Sequence, residues 1–169
     1  ERYQVTFRKG LPAASGETLI KDVEITLYVR DRAPAVNFPG RAYVLPKSAD
    51  AALPVETVNL DEVDLKLSRI SDRNLLRLLQ NGFFGRPLDY CADQEFSKDL
   101  SQEIWTGAGD VQNTLNETMT TRVPLGDILS NQPPGIYALT ARVPGEDIYD
   151  SQGATQWFVL SDLELTTLK

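Results

Sequence analysis

The sequence predicts an all-β protein: an antiparallel β-sandwich with a short helical insertion. Three observations predict it. Several short segments alternate apolar and polar residues with the period of two expected of half-buried strands. Gly, Pro, Asn and Asp punctuate them at the close spacing of a sandwich or barrel. A helical period appears in one region, near residues 71–106.

The first alternation puts Tyr3, Val5 and Phe7 on one face of a strand, and turn chemistry at Gly10, Pro12 and Gly16 follows. Residues 22–30 alternate strictly, with Val23, Ile25, Leu27 and Val29 facing one way and Glu24, Thr26, Tyr28 and Arg30 the other. The two segments are expected to pair as a hairpin with a long connection. Residues 31–35 break the pattern at Pro34, which marks either an interdomain linker or a loop within one sandwich. Beyond it, strands are predicted at 35–38, 41–45, 53–60 and 62–70. In the last of these Val63, Leu65 and Leu67 are expected inside, with Asp64, Lys66 and Ser68 on the wet face.

Next, Ser71 or Asp72 supplies an N-cap, and Leu75, Leu76 and Leu79 form an apolar stripe that ends near Gly82. Phe83 and Phe84 are expected to cover apolar surface, the alternative being a docking patch. A second helix is predicted from Asp93 to Trp105, with Phe96, Leu100 and Ile104 on one face and Gly107 as its stop. Strands resume at 109–115 and 120–125, a helical turn follows at 126–130, and strands at 134–142 and 154–163 close the sandwich. Tyr137 and Trp157 are expected to pack across it, with Trp157 and Val159 facing one core, while Trp105 caps the insertion against a sheet.

Composition narrows the function. The net charge of −7 and pI near 4.6 argue against a polyanion partner, so nucleic acid is not expected. Histidine is absent and Cys91 is the single cysteine, which disfavours Ser-His and zinc chemistry and leaves no internal disulfide. No apolar run approaches the roughly 20 residues of a membrane span, so any signal peptide or lipid anchor is expected upstream. Catalytic residues, cofactors and metals are not expected.

Residues 34–46, with Pro34, Phe38, Tyr43 and Pro46, resemble the opening strand pair of an early domain in the bacterial α-2-macroglobulins. Residues 58–67 resemble its next strands, and Arg73 to Leu76 the helix after them. Residues 134–143 and 155–163 are similar to the end of that domain and the crossing into its neighbour. The resemblance implies a macroglobulin-like (Ig-like) sandwich over 34–160 with its helical insertion near 71–106. It also implies the closing strands of a preceding β domain over 1–33 and the start of a next module over 161–169. By the same resemblance, the chain is a non-enzymatic scaffold of a periplasmic or cell-envelope protease trap serving host defence. Its expected partners are the neighbouring macroglobulin domains, target proteases met through the parent protein, and the membrane only through an upstream lipid anchor. An Ig-like adhesion or carbohydrate-binding module is the alternative that the same strands support.

Many members of that family carry an internal thioester, and Cys91-Ala92-Asp93-Gln94 has the Cys-x-x-Gln spacing such a bond needs. The family's motif has Glu where Asp93 stands, so Cys91 and Gln94 are read as a free thiol at a helix entrance, with Asp93 as N-cap and Gln94 in the first turn. The acidic groups Asp61, Glu62 and Asp64, and Glu146, Asp147 and Asp150, offer oxygen ligands for calcium but lack the spacing of a dedicated loop. A solvated surface is the simpler reading. A glycosidase-type carboxylate pair has no defined cleft in the pattern. Asn116-Glu117-Thr118 matches a glycosylation sequon, which carries little meaning in a bacterial protein.

Overall fold

The computed structural model describes residues 2–40, 42–88, 90–146 and 153–162. Its contacts divide the chain into two compact units, Glu1–Arg32 and Ala33–Lys169.

In the first unit, β1 (Arg2–Phe7) and β2 (Val23–Tyr28) pair antiparallel, with Tyr3 opposite Leu27, Val5 opposite Ile25 and Phe7 opposite Val23. This is the hairpin read from the alternation. Its long connection is ordered by its own backbone bonds: Gly10 N donates to Leu19 O at 2.8 Å, and Ala13 N to Glu17 O at 2.8 Å. Gly16 turns the tip at φ +86°, a left-handed conformation that glycine adopts without steric cost. Lys9 N donates to Asp22 Oδ1 at 2.6 Å where the connection rejoins β2.

The second unit is the sandwich. In chain order it contains β3 (Ala35–Asn37), β4 (Ala42–Pro46), β5 (Ala52–Val58), β6 (Glu62–Ile70), β7 (Ser101–Asp110), β8 (Thr118–Pro124), β9 (Gly135–Arg142) and β10 (Ala154–Ser161). Helices α1 (Asp72–Gln80) and α2 (Tyr90–Glu95), continued by a π turn (Phe96–Leu100), lie between β6 and β7, and α3 (Gly126–Leu129) lies between β8 and β9. One sheet has the order β4-β10-β9-β6-β7 and the other β3-β5-β8. Their pairings are antiparallel except for β10 on β4, which is parallel; the chain crosses between the sheets from β3 to β4 and back to β5. The fold is therefore the expected all-β sandwich with a helical insertion, with one parallel pair at its edge.

Alternation decides what lies between the sheets. Leu53 and Val55 of β5, Val123 of β8, Val63, Leu65 and Leu67 of β6, and Leu139 of β9 share one buried cluster. Tyr137 and Phe158 sit directly opposite each other on β9 and β10 and stack with centroids 5.5 Å apart. Tyr137 Oη donates to Pro133 O at 2.6 Å, which satisfies the buried hydroxyl. At one end of the sandwich the β5–β6 and β7–β8 connections are clasped: Asn116 N donates to Asn59 Oδ1 at 2.6 Å, and Asn113 Nδ2 to Asp61 Oδ1 at 3.0 Å.

A second buried cluster lies on the opposite face of the five-stranded sheet, where the insertion covers Ile70, Ala138 and Trp157 with Leu78, Leu88, Phe96 and Leu100. Trp157 does not pack across the sandwich, as alternation alone suggested. Phe158 and Leu160 take that side, and Trp157 turns outward into the insertion. Its indole meets Phe96 edge-on at 5.4 Å and Phe84 at 5.5 Å, and its Nε1 donates to Arg86 O at 2.9 Å. Phe83 and Phe84 pack against this cluster as expected.

The insertion and the strand that follows it depart from the sequence reading in several places. The apolar stripe of α1 is Leu75 and Leu78; Leu76 and Leu79 are exposed, because the sheet lies on the other side of the helix. The second helix ends at Leu100, not Trp105. Asn74 Nδ2 donates to the carbonyls of Asp99 and Leu100 at 3.0 and 3.1 Å, Ser101 is extended, and β6 recruits residues 101–110 as its antiparallel neighbour. This pairing overrides a four-residue spacing that fitted a helix. It also replaces the strand predicted at 109–115 with one that ends at Asp110. Gly107 stops nothing: it sits in β7, where a Cβ would collide with the Trp105 ring. Trp105 and Ile104, at a register shift opposite Leu67 and Ser68, both pack toward the sandwich core.

Candidate functional site

The face of β6 read as wet is only partly so. Asp64 is exposed, but Ser68 is buried under the insertion and Lys66 is half-covered by α2. The cover is fastened by charge. Lys66 Nζ donates to Asp93 Oδ1 and Oδ2 at 3.1 and 3.2 Å and to Ser97 Oγ at 3.0 Å, and Arg142 Nη2 donates to Asp93 Oδ2 at 3.2 Å. Asp93 is 8% exposed, so its carboxylate needs these partners to offset lost hydration. Asp93 is therefore not an N-cap. The helix begins at Tyr90, and Asp93 projects from its body to join β6, β9 and α2 in one ionic tie.

Beside the tie, Asp64, Lys66, Thr106, Ala108, Thr140 and Arg142 line an open groove of about 490 Å³ on the outer face of the five-stranded sheet. Of these, Lys66 and Arg142 both donate to Asp93, so they help to hold the insertion in place. Among the described residues, no group of three or more His, Cys, Asp or Glu is placed to hold a metal ion. Asp61 is engaged in the loop clasp through Asn113, and its carbonyl accepts Val111 N at 2.9 Å. Asp147 and Asp150 lie outside the described residues, as does the stretch 163–169 assigned to a following module.

Cys91 and Gln94 both occur in α2, three residues apart and both exposed. Asn116, the sequon residue, spends its backbone N–H and side-chain oxygen on Asn59. The large exposed hydrophobics of the second unit include Val44, Leu76, Leu79 and Leu115. Tyr137 is fully buried, and that burial raises its phenol above the ordinary value of 10.0 against the opposing charge and hydrogen bond of Arg69.

The ionic tie was not foreseen. Its members stand 27 and 49 residues apart and come together only through sheet order, and no local pattern announces them. The one available signal was that alternation set Lys66 on the outer face, where an insertion would have to meet it.

This architecture has known counterparts. Residues 37–158 match the family model of the bacterial alpha-2 macroglobulin MG2 domain. Alpha-2-macroglobulin of Escherichia coli K12 is 28% identical over 159 residues, covering 94% of this chain and 9% of that protein. The chain thus spans about a tenth of the length of such relatives. The native conformation of the E. coli protein superposes with a TM-score of 0.67 at 27% identity, over 95% of this chain and 10% of the other. An E. coli segment spanning domains MG0-NIE-MG1 matches 99% of this chain and 52% of the segment, at TM-score 0.60 and 27% identity. The shorter NIE-MG1 segment matches 83% of this chain and 66% of its own length, at TM-score 0.62 and 25% identity. Macroglobulin domains thus occur in these relatives as parts of multidomain chains. With the family model matched across the sandwich and its insertion, the chain belongs to the bacterial alpha-2-macroglobulins, and residues 37–158 carry their MG2 domain.

Proposed function

We propose that this domain is a non-catalytic scaffold of a bacterial protease trap, an endopeptidase inhibitor that encloses its target and works in the periplasm or cell envelope. The match of residues 37–158 to the MG2 domain carries the reading. The polar network supports it, since Lys66 and Arg142 both donate to Asp93 and join three elements structurally. Its partners are the adjoining macroglobulin domains of the parent chain, and proteases reach it through that parent. Any membrane contact is made through a lipid anchor upstream in the parent, where the parent has one. Cys91 stays a free thiol, with no thioester to Gln94: both side chains are exposed, and such a bond survives only when shielded from water.

The test is protease protection by the full-length parent. Enclosure should slow a protease's digestion of a large protein substrate while leaving a small peptide substrate still cleaved. Equal digestion of both substrates with and without the parent would remove the inhibitory function and leave the fold untouched. For Cys91, the intact mass of the 169-residue chain should equal its sequence mass; a deficit of one ammonia that methylamine reverses would establish a thioester instead.

A further inference from the structure

The edges of the two sheets are not equally guarded. Among the described residues of the second unit, the outermost strands are β3, β4, β7 and β8. β3 has three residues, β4 ends in Pro46, and β8 carries Arg122 and Pro124; shortness, proline and basic side chains all discourage a further strand. β7 is ten residues long without Pro, Lys or Arg, and it pairs on one side only, with β6. Its register shift lies at Ile104, so Trp105 to Asp110 continue as regular strand. What flanks this edge is chemically distinctive. On the outer face Ala108 lies opposite Asp64 and Asp110 opposite Glu62, and all four are exposed. Like charges directly opposite repel, and no ion pair among the described residues offsets Glu62, Asp64 or Asp110, since Lys66 is engaged by Asp93. On the inner face, Gly109 borders a cavity of about 320 Å³ at the seam between β7 and β8, whose walls include Leu65, Trp105, Val123 and Ile128.

We propose that the β7 edge binds an extended segment of a separate protein in which Lys or Arg alternates with aliphatic residues. Such a segment joins the five-stranded sheet as a sixth strand through main-chain hydrogen bonds. Successive side chains of a strand point to opposite faces, so its basic residues fall beside Glu62, Asp64 and Asp110 while its aliphatic ones turn toward the seam cavity. A second copy of this chain fits poorly. Its own β7 would bring Glu103 and Asp110 to the same carboxylates, on a molecule of net charge −7. The proposal rests on strand geometry and charge and not on protease trapping, so a parent that fails to inhibit would leave it standing.

Calorimetric titration with synthetic peptides tests it. An end-capped peptide alternating Lys with Val should bind the 169-residue chain at least about tenfold more tightly than either of two others, one alternating Glu with Val and one of the same Lys and Val content with its lysines grouped at one end. Binding should slow hydrogen exchange of amides in residues 105–110 and leave those of β3 and β4 unchanged. Asp110→Lys should weaken binding at least about fivefold, whereas Glu17→Lys, an equal change of charge in the first unit, should not. Native fluorescence of Trp105 and Trp157 shows that the variant is folded; should it not fold, the peptide comparison on the native chain decides alone. Equal affinity for the alternating and grouped lysine peptides reduces the binding to net charge and overturns the proposal. So does binding by the 169-residue chain that the full-length parent lacks, because the edge is then covered within the parent. Protection of residues 105–110 that rises with the chain's own concentration, without peptide, overturns it too, because a second copy is then the partner.

Discussion

Strand β10 has a core on each face, and the two are built differently. On the inner face, Phe158 and Leu160 meet residues from both sheets, gathered from β5, β6, β8 and β9. On the outer face, Trp157 meets a nearly continuous stretch, Ile70 to Leu100, with only Ala138 and Ile136 added from β9. The inner core is thus held by pairing between distant parts of the chain, whereas the outer core is a local segment closed over one indole. A segment of that kind can open without undoing the sheet that it covers. The difference separates what the domain is from what is attached to it.

Trp157→Ala breaks the comparison most severely. It removes the indole from contact with Phe84 and Phe96 and from its bond to the Arg86 carbonyl, and a loss of about 3–5 kcal/mol is expected. If the outer core is a separable layer, amides of α1, α2 and the π turn lose exchange protection while those of β5 and β8 keep it. A uniform loss across both sheets would show instead that the two cores are a single cooperative unit. Phe158→Ala, of similar cost, should lower protection everywhere, since its partners span both sheets.

Asp93→Ala sharpens the same contrast at smaller cost. It leaves Lys66 and Arg142 facing each other without the carboxylate, in surroundings where their side chains are 23% and 19% exposed. About 2 kcal/mol should be lost from the insertion, read as a lower urea midpoint. Replacing all three residues with apolar ones of similar volume should recover most of it, because the tie's own desolvation then disappears too. If the single change is silent, the ionic tie does not fasten the insertion.

The two cores also differed in how well the sequence disclosed them. The inner one follows from alternation: Val63, Leu65 and Leu67 pointed inward as read, since the side-chain period of a strand is fixed. The outer one depends on which side of each helix meets the sheet. Leucines occupy 75, 76, 78 and 79, so the composition of α1 is consistent with more than one face, and the sheet chose Leu75 and Leu78. Phe96, Leu100 and Ile104 kept a helical spacing through a segment whose last residues pair with β6, and no local signal marks the change at Ser101. Trp157 misled for a related reason. Alternation gives the two sides of β10 but not which of them the sandwich takes when both are apolar.

Tyr137→Phe is the mildest probe, and it acts on the inner core alone. The substitution keeps the ring stacked on Phe158 and deletes the hydroxyl that donates to Pro133 O, so about 1 kcal/mol should be lost at neutral pH. Its pH dependence carries a further signature. Burial raises the folded-state phenol above 10.0, whereas the unfolded chain ionises near that ordinary value, so the folded state holds the proton more tightly. The stability linked to this proton is complete below about pH 10 and falls as pH climbs through the raised folded value. Urea midpoints measured across that window should decline more steeply for the native chain than for the Tyr137→Phe variant, which has no buried phenol to ionise. The variant and native curves should therefore approach each other as pH rises; parallel curves would mean that alkali acts elsewhere, on phenols other than the one between the sheets.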